Sequence, residues 1–183
     1  MTLRLYPLTY QQEKLKENFE AYRLVYNYYL DIRKNKWNNE KVTFTFNDCI
    51  KDLPSYRKRQ PRLQAADSQA LRCAIKELDN DYSFFFKFLH NYPQQKLEEN
   101  NGNYYRTTNC NNSIRFAPNG IILPKIGRIP LSPLSSDIFN PKTKVIDGRI
   151  VSAEIKQESP IEYYCTLRIT DVPKPTKEEF PIP

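Results

Sequence analysis

Hydrophobic positions along this chain change their period near its middle. The opening TLRLYP alternates Leu3 and Leu5 with Arg4, which suits a short strand that Pro7 stops. Thr9 is placed to cap a helix, with acidic Glu13 in its early turns. Leu15, Phe19, Tyr22, Tyr26 and Tyr29 recur at steps of three and four, which predicts one apolar helix face running to about Trp37. Arg33, Lys34 and Lys36 crowd its end, where cations suit the helix dipole. In VTFTFNDCIKDLP a short helix is predicted after Thr45, ended by Pro54, and SYRKRQPR (residues 55–62) reads as a basic loop. Asp67 or Ser68 caps a second long helix, whose apolar stripe is Leu71, Ala74, Ile75, Leu78, Tyr82, Phe85 and Leu89. The stripe fades by His90, and Pro93 forbids continuation.

Residues 93–112 are polar and read as irregular, with the Asn-rich stretch TNCNN. Beyond them SIRF, PNG and IILP read as strand, turn and strand, and PKIGRIPL continues extended. VIDGRIVSAEIKQESPIEYYCTLRITDV reads as further strands, Glu162–Thr170 being the clearest. The expected fold class is therefore α+β, an antiparallel β-barrel with a helical lobe inserted after the first strand. The first strand is expected to pair with the late sheet. The division expected is residues 1–8 and 100–172 for the barrel, 9–99 for the lobe and 173–183 for a linker. The end, KPTKEEFPIP, suits a linker because its prolines lack N–H donors and fix φ.

Composition adds a core and a charge. Of 183 residues 39% are apolar and 13% aromatic, so Tyr and Phe supply enough area for one folded core, while four glycines nearly exclude Gly-rich phosphate loops. Residues 1–92 hold 16 Lys/Arg against 11 Asp/Glu, and residues 93–183 hold 12 against 10, so +5 of the net +7 lies in the first half. Such an excess suits a nucleic-acid partner, or simply a solvated basic surface. Cys49, Cys73, Cys110 and Cys165 form no Cys-x-x-Cys pair, so reduced thiols are expected and no zinc site. No apolar leader occurs, and no stretch reaches the ~20 apolar residues of a membrane helix, so a cytoplasmic chain without a membrane partner is expected.

Catalytic chemistry finds little support. His90 is the only histidine and sits at a helix end, where a capping or satisfied role is favoured. No Gly-x-Ser-x-Gly or phosphate-binding loop occurs, and Asp147-Gly148 suits a hairpin turn better than a metal site. No set of carboxylates is marked for two-metal chemistry. The expectation is no catalytic residue, no metal and no cofactor.

Three features fit nucleic acid, each with an ordinary alternative. Tyr56, Arg57, Lys58, Arg59 and Arg62 place four cations in one basic stretch, which can neutralise phosphates or be a solvated loop. Ser68, Arg72 and Lys76 form a polar stripe at the start of the second long helix, which is a workable groove reader or an exposed helix face. Tyr104, Tyr105 and Arg106 precede Asn109, Asn111 and Asn112, a mixture able to stack on bases and bond their edges, or an Asn-rich loop.

In order, RLYP (4–7), YRLVYNYYL (22–30), DSQALRCAIKELDNDYSFFF (67–86) and NGIILPKIGRIPL (119–131) resemble the N-terminal half of the TnpB/OrfB proteins of insertion sequences. The likeness runs through nearly the whole chain with spacing kept. It implies a wedge-like β-barrel carrying a helical recognition lobe, in proteins that resemble miniature RNA-guided nucleases. It implies that this half holds guide RNA and reads a short motif in double-stranded DNA beside the target, base pairing reading the rest. By position, Ser68, Arg72, Asn111 and Asn112 match motif-facing places, and Phe44 and Asp48 match further groove-side places. Arg57, Lys58, Arg59, Arg62, Lys76 and Arg106 are the candidates for the nucleic-acid backbone.

Two departures stand out. YPQQKLE (92–98) lacks two cations of the related stretch, and Arg72 replaces a position where Gln occurs, which shifts preference from adenine toward guanine. In relatives a RuvC-like nuclease domain with a zinc ribbon opens on a Gly-Ile-Asp-x-Gly strand after such a linker, whereas this sequence stops at Pro183. The resemblance therefore implies a chain that cuts nothing: a truncated copy, one half of a split protein or an excised fragment. The partners implied are guide RNA, double-stranded DNA and a separate RuvC-like nuclease chain, in a prokaryotic cytoplasm close to the nucleoid. The rival readings are an RNA-independent helix-turn-helix regulator and a docking half for that nuclease.

Overall fold

The structure is a computed structural model that describes residues 1–131 and 148–170. The proposed linker 173–183 and Asp147 of the turn pair lie outside the described residues.

The first strand and the last strand described are neighbours. In β1 (Thr2–Leu5) the alternation of Leu3 and Leu5 buries both, and they sit opposite Cys165 and Tyr163 of β7 (Glu162–Thr170). Met1 and Leu167 exchange backbone hydrogen bonds of 3.0 and 2.7 Å at the start of this ladder. β6 (Arg149–Ser159) and β2 (Asn103–Thr108) complete an antiparallel sheet of order β1-β7-β6-β2. β3 (Arg115–Ala117), β4 (Gly120–Leu123) and β5 (Gly127–Pro130) form a second, three-stranded sheet. A bridge between Leu5 and Leu131, with the Tyr6 N–H donating to the Pro130 carbonyl at 3.0 Å, joins the two. Among the described residues the ladders form two sheets and close no barrel. β2 falls in the stretch expected to be irregular; its alternation of buried Tyr105 and Thr107 is hidden in sequence by polar neighbours. The four-residue helix α4 (Glu98–Asn101) leads into it.

Between β1 and β2 lie three longer helices. α1 (Thr9–Asn35) starts from Leu8, not from a Thr9 cap. Buried Gln11 accepts the Leu8 N–H at 3.0 Å and donates to the Arg128 carbonyl at 2.7 Å, tying the helix start to β5. Its last turn continues as a π-helical turn, Lys36–Glu40, stopped at Lys41 with φ 56°.

α2 (Phe46–Arg59) overturns two expectations, because it runs through Pro54 and takes in most of the supposed basic loop. Thr45 and Asp48 cap its start reciprocally, and Pro54 lies on its exposed side. Leu53 and Tyr56 bury the other side, the Tyr56 ring stacked on Tyr28 at 3.6 Å. Burial of this face outweighs the one donor that Pro54 lacks.

α3 (Ser68–Phe86) is capped by Asp67, which accepts the Gln69 N–H at 3.0 Å. It ends before the predicted stripe does: Phe88 has φ 58° and Leu89 is 65% exposed. Among the described residues no helix is long and apolar enough to cross a membrane.

The tyrosine stripe of α1 is buried because each phenol finds a carboxylate. Tyr22 donates to Glu77 and Tyr26 to Asp81, both at 2.6 Å, and Tyr29 donates to Asp52 at 3.1 Å. Bonds of this charge-assisted kind contribute about 1.5–3 kcal/mol each. They clamp α1 to α3 and α2 and fix the helical face on which the candidate site sits.

Candidate nucleic-acid interface

The seam where α3 lies along β2 gathers much of the site chemistry. Glu77 on α3 accepts from Tyr22, from Tyr104 at 2.6 Å and from Lys96 at 3.0 Å. Burial alone raises a carboxyl pKa, but Lys96 and the two phenols outweigh it and hold Glu77 below its ordinary value. One turn nearer the helix start, the Cys73 thiol lies 3.4 Å from the Thr108 hydroxyl, and Thr107 donates to Asp67. These contacts fix the start of α3 beside the end of β2.

From that seam two exposed polar elements project. Ser68 and Arg72 are exposed on the first turns of α3, and neither bonds another described residue through its side chain. Lys76, a turn further, is ion-paired to Asp79 at 3.3 Å and rides over the Phe46 ring at 5.3 Å. The second element is the turn that follows β2. Asn111 and Asn112 are exposed there with φ 52° and 56°, the left-handed region that Asn tolerates better than most residues. Asn109 holds this turn from beneath. Its buried amide donates to the Ile114 and Ile150 carbonyls at 3.0 and 2.9 Å and accepts the Ile114 N–H at 2.9 Å.

A cleft of about 620 Å³ opens beside the turn, where Asn111 and Asn112 meet Arg115, Phe116 and Arg149. Two guanidinium groups and a ring at this spot escape the sequence reading, because Arg115 and Arg149 lie in separate strands and only the fold makes them neighbours. The one local signal is Gly148. A Cβ there would meet Ile169 and Thr170 atoms at 2.6 Å, so a glycine lets β6 start close against β7 and brings Arg149 to the cleft.

The remaining candidates divide. Lys58 and Arg62 are exposed and free of any hydrogen bond or ion pair to a described side chain. Arg57 is committed inward: it donates to the carbonyls of Leu63, Gln64 and Ala66 at 3.0, 3.0 and 3.1 Å and so braces the link into α3. Arg59 reaches the Tyr28 hydroxyl at 3.2 Å and Asp52 at 3.7 Å. Arg106 is bonded to Glu154 and lies 3.9 Å from Glu77, so its charge is balanced within the fold. Asp48 spends its carboxylate on the Thr45 N–H and hydroxyl, and the hydroxyl bond holds its pKa below the ordinary value.

Phe44 faces a different place, an apolar cleft of about 610 Å³ that it lines with Arg33, Trp37, Phe46, Tyr82 and Phe86. Lys76 over Phe46 borders this cleft from the α3 stripe. Among the described residues no group of three His, Cys, Asp or Glu is arranged to hold a metal ion.

Comparison with known families finds a match at the start of the chain. Residues 1–41 fit the family model of a helix-turn-helix domain, of the IS605 OrfB type. This stretch holds β1, α1 and the π turn, so its helical partners α2 and α3 lie beyond the match. Comparison with curated proteins finds no match.

Proposed function

We propose that this chain, whose N-terminal region is of the IS605 OrfB type, is a nucleic-acid-binding module of a transposon protein that holds guide RNA and reads a short duplex motif beside the target. In this reading residues 9–99 are a recognition lobe, residues 1–8 and 100–172 a wedge-like sheet unit, and 173–183 a linker. In this reading the module itself binds and does not cut. One observation carries the reading. Ser68 and Arg72 on α3 and the Asn111–Asn112 turn flank one seam, exposed and uncommitted, as side chains that read base edges must be. Lys58, Arg62, Arg115 and Arg149 supply the phosphate contacts.

The test is a titration of the purified chain against RNA transcribed from its own locus, unrelated RNA and a random duplex, at two salt concentrations. RNA from the locus is expected to bind tightest and to outlast the salt, and incubation of duplex with Mg²⁺ is expected to leave it intact. Equal, salt-sensitive binding to all three would reduce the chain to a basic surface. The helix-turn-helix match supports a second reading, an RNA-independent regulator, which predicts duplex preference with no gain from RNA.

A further inference from the structure

Two cysteines border the seam between the proposed reading elements, Cys73 on α3 and Cys110 just past β2. Alternate residues of β2 face α3: Tyr104 and Arg106 reach Glu77, and Thr108 reaches Cys73. Moving along the strand toward its end thus steps back along the helix by a turn, because two strand residues (~6.6 Å) nearly match one helical turn (~5.4 Å). The ladder outlasts β2 by one residue, since the Asn109 N–H donates to the Val151 carbonyl at 2.8 Å. Two residues after Thr108, whose hydroxyl lies against the Cys73 thiol, comes Cys110. It is exposed, and it opens the turn by accepting the Ser113 N–H at 3.1 Å. Burial raises the pKa of the half-buried Cys73 thiol, and the nearby Cys110 thiol adds to the rise. Cys49 and Cys165 are buried in α2 and β7 and face neither.

We propose that Cys73 and Cys110 form a thiol-modification site whose disulfide latches the Asn111–Asn112 turn onto the Arg72 face of α3. Exposed Cys110 reacts first: its thiolate attacks one sulfur of a low-molecular-weight disulfide, the S–S bond breaks and one small thiolate leaves. The Cys73 thiolate then attacks the Cys110 sulfur of the mixed disulfide and displaces the second small thiolate. The two leaving thiolates take up the protons that the cysteines gave up, so the small disulfide is reduced to two thiols as the protein pair is oxidised. A disulfide holds its Cα atoms within about 4.4–6.8 Å, so the bond would fix the start of the exposed turn against α3. That the latched face reads DNA rests on the proposed function; the bond itself does not.

Oxidised glutathione is the probe, followed by peptide mapping. Trypsin cuts after Arg72, Lys76, Arg106 and Arg115, which isolates each cysteine on its own peptide. The expected product is a linked Cys73–Cys110 peptide pair, lost on reduction and absent from C73S and C110S. A glutathione adduct on Cys110 with Cys73 left free overturns the site. The oxidised chain is expected to bind duplex at least tenfold more weakly than the reduced chain, and C110S to be insensitive to the oxidant. Equal affinity in both states overturns the latch. Should neither form bind duplex, the DNA reading falls and the latch with it, while the linked peptide alone decides the bond.

Discussion

Arg57 and Arg72 are the same residue type in similarly polar stretches, yet the fold gives them opposite tasks. Arg57 satisfies three carbonyls between α2 and α3, whereas Arg72 points outward without a partner among the described residues. Arg57→Ala is expected to cost about 2 kcal/mol in urea denaturation, since the stranded carbonyls lose charge-assisted bonds. Arg72→Ala is expected to leave the midpoint unchanged and to relax preference at one base pair by about 1–3 kcal/mol in competition titrations. Equal losses on every sequence would make it a phosphate contact. The sequence could not separate these two arginines, because commitment depends on which carbonyls a chain reversal leaves within reach. Glu77 carries a pH signature of the same kind. Its folded pKa is held below the ordinary glutamate value, so its contribution is present above that ordinary value and lost as pH falls through the folded one. Glu77→Gln should be less stable than the parent at pH 6, and the gap should narrow as the pH is lowered into the acid range, measured as urea midpoints.

Helices and strands were more legible than their ends. The stripes of α1 and α3, the β4 turn and β7 all follow from periodicity, because each buries one continuous face. Pro54 misleads for a physical reason: a missing donor costs a helix locally, while the buried pair Leu53 and Tyr56 is visible only once α1 is in place. β2 misleads in the opposite way, since its flanking asparagines look like a loop until Asn109 is seen bonding two separated carbonyls. If that amide builds the reading turn, Asn109→Ala should lower duplex affinity although the residue is buried. Asn111→Gly, which keeps the left-handed backbone, should lower affinity with no thermal penalty, whereas Asn109→Ala should lower both, in paired melting and binding assays.

Across the whole molecule the charge that matters is the charge left over. Four cations in residues 55–62 suggest a salt-slope change of several units on neutralisation. Arg57 and Arg59 are engaged within the fold, which leaves Lys58 and Arg62. Replacing Lys58 and Arg62 together should reduce the slope of log K against log salt by at most about 1.8 on duplex DNA. Replacing Arg57 should change stability and leave the slope alone. The site residues themselves were half legible: polar stripes and Asn turns can be seen in one dimension, while the Arg115 and Arg149 cleft exists only after β3 and β6 meet.

The pairing of Thr2 with Thr166 sets an order of events during synthesis. A chain elongating at about 5–20 residues per second delivers β7 roughly 8–33 seconds after β1. Helical contacts form within microseconds, so α1, α2 and α3 are free to collapse on their tyrosines while β1 waits as an unpaired edge. The first strand made is therefore among the last to be seated. Substitutions in Leu3 or Leu5 should speed unfolding far more than they slow the initial collapse.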